Sequence, residues 1–480
     1  MSLLRIPLSL LLTLVSTAAL ADFHIESNDA GDGFLQVAVV NGTQANASRV
    51  ELSYFGSVFA VDAPGWSCSG NKCALDGLPA GQSASLKLLI AFDQPYVRKR
   101  VELGAAADVA GKRVLKSEFA FPARYLRFAV AHDGDSGAGS LRAAIEAVNA
   151  DAVCAALPCA IDLPAATIRP WSPLPRITAR DVLVTGPAVL DGSATTGNAL
   201  DFAGAERAEV DGLTIVDFGD NAILLRPLPT ASSLKVAHCD LERNLRGVNF
   251  AAGGYFDTVI IRDNTIRDHI RSAVFDGSDG APGFSLGPRI RIERNRISGN
   301  GASGIFLGER SDGALIVDNV IESNHDFGIA VARGAHNVRI LQNSIAHNGS
   351  AIDIGLDGPT LLLPLPTGDR SAAVIESATY DPATNTTTIA GKPSVTPIGI
   401  CDLCITHIVS LYANDAAEHG EFAEAQNYLG DAQPNGSGFV LTFNGDLRGK
   451  YITALATRWV NGVGSDFFDT AELSKAFLVQ

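Results

Sequence analysis

Hydrophobic and polar positions between residues 213 and 352 return in register. One column runs Leu213, Cys239, Asn264, Asn295, Asn319 and Asn343. Two residues on, a second runs Ile215, Leu241, Ile266, Ile297, Ile321 and Ile345. Three further on come Phe218, Asn244, His269, Asn300, Asn324 and Asn348, and then Ile223, Val248, Val274, Ile305, Ile329 and Ile352. The steps of the first column are 26, 25, 31, 24 and 24 residues. A unit recurring at this length predicts a solenoid, each coil pairing with the coils above and below it. The aliphatic columns stack into a narrow core. Asparagine at a bend is expected to take the left-handed conformation and to bond to backbone or to the asparagine one coil away. His269, Asn300 and Asn324 therefore face inward as structural residues, and Cys239 is a buried, inert thiol. The 31-residue step holds Gly277 to Gly287, a loop bulging from one corner.

The flanks have another texture. Residues 22–125 and 371–480 alternate apolar and polar over short runs, such as Phe34 to Val40, Ser85 to Ile90, Ile408 to Tyr412 and Tyr451 to Thr457. Such runs, separated by turn residues, predict a β-sandwich on each side. Between the first sandwich and the repeats, Ser140 is a good N-cap, and Leu141, Ala144, Ile145 and Val148 form one helical face. That helix is expected to plug the open end of the solenoid, because a terminal unit must shield the core from water.

Two resemblances sharpen this picture. Gly65-Trp66-Ser67-Cys68, then Cys73, then Leu78-Pro79-Ala80-Gly81-Gln82-Ser83-Ala84, resembles the Ig-like repeat domain of bacterial surface proteins. That resemblance implies a spacer or adhesive module over about 30 residues. The centre resembles right-handed β-helix repeat proteins with the pectate-lyase fold. The landmarks are Asp135-Ser136-Gly137-Ala138-Gly139-Ser140-Leu141-Arg142, Ser172-Pro173-Leu174-Pro175-Arg176-Ile177, Leu190-Asp191-Gly192-Ser193 and Ala351-Ile352-Asp353-Ile354-Gly355. The end of the chain looks like the Ig-like module that often follows such helices. The expected fold is all-β: a right-handed parallel β-helix with a capping helix over 126–360, an Ig-like sandwich over 22–125, a Pro-containing linker over 361–370 and a second sandwich over 371–480.

The N-terminus adds a compartment. Arg5 precedes the apolar run Leu8 to Val15, and Ala19-Leu20-Ala21 is a small-residue cleavage site, so residues 1–21 read as a secretory signal peptide. Asp22 follows, not Cys, so nothing suggests a lipid anchor. No later stretch reaches the roughly 18 apolar residues of a spanning helix. The protein is expected outside the cytoplasm, in the periplasm, at the cell surface or free in the medium, and as a monomer. The net charge of −15 argues against nucleic acid and anionic lipid as partners. The cysteines form local pairs, Cys68–Cys73, Cys154–Cys159 and Cys401–Cys404, which in an exported chain read as three disulfides. The Cys401–Cys404 spacing with His407 leaves a redox or zinc site open. However, a redox pair wants a βαβ context and a structural zinc wants four ligands.

No nucleophile elbow, phosphate loop or metalloprotease helix is present. Cofactors are expected to be none; calcium is conceivable, but no calcium-loop motif supports it. The position before the first column reads Gly212, His238, Asp263, Arg294, Asp318 and Gln342, and the position after it includes Asp240 and Arg296. His238, Asp240, Asp263, Arg294, Arg296 and Asp318 are thus expected in one surface patch about four coils tall. As a site, the arginines could hold a carboxylate, and Asp240, Asp263 or Asp318 could serve as acid or base. As mere structure, the patch is a ladder of alternating charge. Phe275 and Phe306 are expected outward on adjacent coils, where they could stack on sugar rings or lie under the 277–287 loop. His325-Asp326, on a turn, is a further acid–base candidate. Enzymes on this fold act on uronate polymers, but the Asp-Pro-x-Gly of the alginate epimerases is absent; Asp381-Pro382 lacks the Gly. The expected partner is a polysaccharide or cell-surface glycan. The function is expected to be non-catalytic binding or adhesion, with a polysaccharide lyase or hydrolase as the alternative.

Overall fold

The computed structural model describes residues 23–29, 33–43, 45–109, 111–226, 228, 232–251, 256–276, 289–309, 311, 313–335, 337–356, 372–393, 405–417, 423–434, 438–460 and 467–480. The signal peptide, the loop at 277–287, the 361–370 linker and the Cys401–Cys404 pair lie outside the described residues.

Three long parallel sheets form the centre. The first has nine strands, from Leu126–Ala129 to Arg339–Leu341; the second has eight, from Thr167–Ile168 to Ser344–Ala346; the third has seven, from Leu200–Phe202 to Ser350–Ile354. Successive strands visit the three sheets in turn, so seven complete coils stack into a parallel β-solenoid. The register is the one the repeat predicts. Ile215 pairs with Leu241, Ile266 with Ile297 and Ile297 with Ile321 in the second sheet. Ile223 pairs with Val248, and Val274 with Ile305, in the third. These side chains are 0 % exposed and belong to one continuous apolar cluster.

The asparagine columns hold the corners together, with one correction to the expected geometry. The left-handed residue is the one before each asparagine. Asp263, Arg294 and Asp318 have φ of 58°, 55° and 57°, as do their counterparts Asp268 (57°) and Ser323 (56°) at the second corner. The turn there costs roughly 1–2 kcal/mol per non-glycine residue. The asparagine that follows faces inward and offsets that cost with hydrogen bonds. The Asn264 amide N–H donates to Asn295 Oδ1 at 3.1 Å, Asn295 N–H to Asn319 at 2.9 Å and Asn319 N–H to Asn343 at 3.0 Å. Each Nδ2 donates to a carbonyl of the previous coil, as Asn319 does to Ile292 at 2.8 Å. The second column repeats this from Phe218 to Asn348, with His269 in place of one asparagine. Beside it the chain must come close. A Cβ on Gly247 would lie 2.6 Å from the Ala273 carbonyl oxygen, and one on Gly304 2.8 Å from that of Gly328.

Both ends of the solenoid are closed. The helix Leu141–Ala150 buries Leu141, Ala144, Ile145 and Val148, and Ser140 Oγ accepts from the Ala143 N–H at 3.2 Å, as expected. At the other end, residues 372–480 form antiparallel sheets of three and five strands, in one compact unit with the solenoid. Tyr412, Leu455 and Leu473 join the solenoid's core cluster. Ala425 exchanges two backbone hydrogen bonds with Ile345, ending the second sheet. Thr470 accepts from the Ile340 N–H in the first sheet, and Glu472 from the Ile354 N–H in the third. Glu424 terminates the asparagine column by accepting from the Asn348 N–H at 2.8 Å. Open sheet edges invite pairing with other chains, and these contacts remove them.

A second compact unit holds Phe34–Ala91 and Arg100–Phe121 together with Phe23–Asp29. It contains antiparallel sheets of four and five strands, with Val37, Val39, Leu52, Leu88 and Leu103 fully buried. Cys68–Cys73 and Cys154–Cys159 are bonded. Cys239 is free and buried, and burial pushes its thiol up to about 12, so it is inert at neutral pH. No helix among the described residues is long and apolar enough to cross a membrane.

Candidate ligand-binding face

The charged corner comes first, because the sequence points there. Its residues do stack on neighbouring coils, but most are paired with a nearby opposite charge. Arg294 grips Asp263 with both arms of its guanidinium, Nε at 2.8 Å and Nη2 at 3.0 Å, and lies 3.6 Å from Glu293. Its side chain is only 14 % exposed, so the pair is not the surface feature expected from the sequence. Asp318 is 4 % exposed, which removes it from the outer face. His238 meets Asp211 at 2.7 Å; that hydrogen bond raises the imidazole pKa against the opposing effect of burial. Asp240 lies 3.9 Å from Arg267, and Arg296 pairs with Glu322. Burial works to raise the Glu293 carboxyl, but Arg291, Arg294 and Arg262 hold it below the usual carboxylate range. His325 pairs with its neighbour Asp326 at 2.9 Å on an exposed turn.

This geometry predicts a structural outcome. Arg294→Ala strands a half-covered Asp263 and should cost about 2 kcal/mol, above the 0–1 kcal/mol of an exposed pair. Chemical denaturation of the two proteins side by side measures it; a loss below about 0.5 kcal/mol would return the pair to the surface class.

The outer face of the third sheet is different. Its outward column reads Asp201, Leu224, Asn249, Phe275, Phe306, Ala330 and Asp353, each paired with the next. Towards the N-terminal end, Asp201 is held by Arg226 through two bonds, at 2.8 and 3.1 Å, and Arg176 approaches it at 3.4 Å. Asn249 Nδ2 donates to Asn221 Oδ1 at 3.0 Å. Next come Phe275 and Phe306, half-exposed and stacked, with centroids 5.0 Å apart and planes within 20°. The parallel register forces this pairing: identical side chains on adjacent coils are about 4.8 Å apart. The Arg246 guanidinium lies 4.3 Å from the Phe275 ring centre. Burial, and then the nearby Arg271, lower the Arg246 pKa.

Phe275 and Phe306 are therefore where the sequence places them, outward and adjacent, in a column separate from the charged corner. Sequence reasoning missed Arg246 and Arg271. Nothing in a local window marks them, because whether an arginine is paired depends on the residue one coil away. Among the described residues, no group of three or more His, Cys, Asp or Glu is arranged to hold a metal ion.

Residues 199–361 match the family model of the right-handed β-helix region. No curated protein matches the chain.

Proposed function

We propose that this right-handed β-helix repeat protein is exported and binds polysaccharide through the outer face of its third solenoid sheet, with the flanking sheets serving as Ig-like spacer or adhesive modules. One observation carries the reading: Phe275 and Phe306 form a stacked, half-exposed pair of nearly parallel rings on the outer face, beside a guanidinium that meets no carboxylate among the described residues. The exposed apolar edges of the pair can pack against the C–H groups of a sugar, and burying each ring's exposed part supplies a non-directional share of affinity. Asn249 beside the platform, partly exposed and held by its Nδ2 bond to Asn221, supplies an amide oxygen for a hydroxyl. The bonded cysteine pairs fit an oxidising compartment.

The alternative, a lyase or hydrolase acting on a uronate polymer, needs an acid–base group free to reach substrate. Asp263 is engaged by Arg294 and Asp318 is buried, which counts against these two acid–base candidates; the alternative then rests on Asp240, 3.9 Å from Arg267, and on the exposed His325–Asp326 pair.

A glycan array identifies the ligand, and Phe275→Ala and Phe306→Ala should each weaken it about tenfold, the equivalent of about 1.4 kcal/mol. Melting temperature, read on the same preparations, separates lost binding from lost folding. Binding that is unaltered in both variants sinks the reading, as does an array with no hit.

A further inference from the structure

Arginines on the solenoid generally end on a carboxylate: Arg226 on Asp201, Arg243 on Asp217, Arg267 on Glu242, Arg294 on Asp263. Arg246 and Arg271 do not. Among the described residues neither side chain makes a hydrogen bond or an ion pair, and Arg246 Nε is buried without a partner. Asp220, one coil back, attracts Arg246 but gives its carboxylate to Asn221 Nδ2 at 2.8 Å. The two cations are neighbours. Arg271 precedes Ser272, which by register lies one coil below Arg246, since Val248 pairs with Val274. The same column continues to Ser303, and neither serine hydroxyl makes a side-chain hydrogen bond among the described residues. Two like charges set side by side repel, and a chain of net charge −15 had ample acids to place between them.

We infer that Arg246 and Arg271, with the hydroxyls of Ser272 and Ser303, form an oxyanion subsite at the edge of the Phe275–Phe306 platform, which takes a sulfate ester or carboxylate carried by a saccharide. This rests on reading the third-sheet face as a polysaccharide surface. The chemistry is that of the guanidinium: its planar fork gives two parallel hydrogen bonds to an oxyanion, and the second cation neutralises the remaining charge. The sugar ring that carries the anion then packs along the exposed edges of the stacked phenylalanines. Arg246, fixed above Phe275, is already oriented for this and loses little freedom on binding.

The test uses the full chain and three oligosaccharides of one length: neutral, carboxylated and sulfated. Affinities are measured by calorimetry at low and at physiological salt. An acidic oligosaccharide should bind at least tenfold more tightly than the neutral one and weaken as salt rises. Arg271→Gln should remove that advantage and the salt dependence while leaving neutral binding unchanged. Arg271 is exposed and structurally uncommitted, so the variant should fold; its melting temperature verifies this. Preference for either acidic oligosaccharide supports the subsite, and which one wins names the group. Equal binding of neutral and acidic oligosaccharides, or an Arg271→Gln variant like the parent, overturns the subsite alone. Binding of none of the three overturns both the subsite and the polysaccharide reading.

Discussion

Ile297→Asp should abolish or nearly abolish the folded solenoid, whereas Arg296→Ala, one residue away, should change stability by no more than about 1 kcal/mol. Ile297 is 0 % exposed and stacked between Ile266 and Ile321 in the apolar cluster that runs the length of the coils. A carboxylate there has no cation to meet, and its desolvation costs several kcal/mol. Losing the aliphatic side chain adds about 2–5 kcal/mol. Together these approach the whole stability of a typical domain, about 5–15 kcal/mol. Arg296 points the other way, half-exposed, and pairs with Glu322 at the surface. Denaturant titration followed by circular dichroism compares the variants. Similar midpoints would mean that the two side chains do not alternate between core and solvent.

The second large effect is acid sensitivity at His269, which occupies an asparagine's place in the inner column. The Asn244 N–H donates to His269 Nδ1 at 3.0 Å, and the His269 N–H donates to Asn300 Oδ1 at 3.1 Å. Nδ1 must therefore be unprotonated, and the ring is 2 % exposed. Burial lowers the imidazole pKa to about 4 from an ordinary 6.5, and the Asn244 N–H, which needs a bare Nδ1, favours the same neutral ring. The folded state thus resists a proton that the unfolded chain accepts. Its contribution to stability is complete above pH 6.5 and falls as pH drops from 6.5 towards 4, by a total of about 3 kcal/mol. His269→Asn restores an uninterrupted asparagine column and has no proton to take up. The stability difference between parent and variant should shift by about 3 kcal/mol in the variant's favour between pH 7 and pH 4. His238, raised by Asp211, titrates in the opposite sense but does so equally in both proteins. Parallel stability–pH curves for the two proteins would show that the ring sits outside the ladder.

The repeat was readable because each coil must satisfy the same constraints. Ile266, Ile297 and Ile321 stack because the parallel register admits one side chain per level, so the period in the chain copies the rise of the solenoid. The capping helix was readable for a similar local reason: Ser140 and the Leu141, Ala144, Ile145, Val148 face are all within one short window. The left-handed position was misplaced by one residue. Asn295 and Asn319 dominate the pattern by identity, yet the strain sits at Arg294 and Asp318, whose residue types do not announce it.

What the amino-acid sequence determines by itself is therefore whatever repeats or lies close along the chain: the coil length, the aliphatic and asparagine columns, the helix, and the outward placing of Phe275 and Phe306. Pairing across coils was decided only in three dimensions, because partners there are 24 to 31 residues apart and a single arginine looks the same whether or not a carboxylate lies beneath it. That is why Arg294, prominent in the sequence, proves to be spent on Asp263, while Arg246 and Arg271, unremarked there, are left uncommitted among the described residues. The closing of the last coil was likewise tertiary. Glu424, Thr470 and Glu472 each satisfy a backbone N–H more than 70 residues away, a debt that no local pattern records.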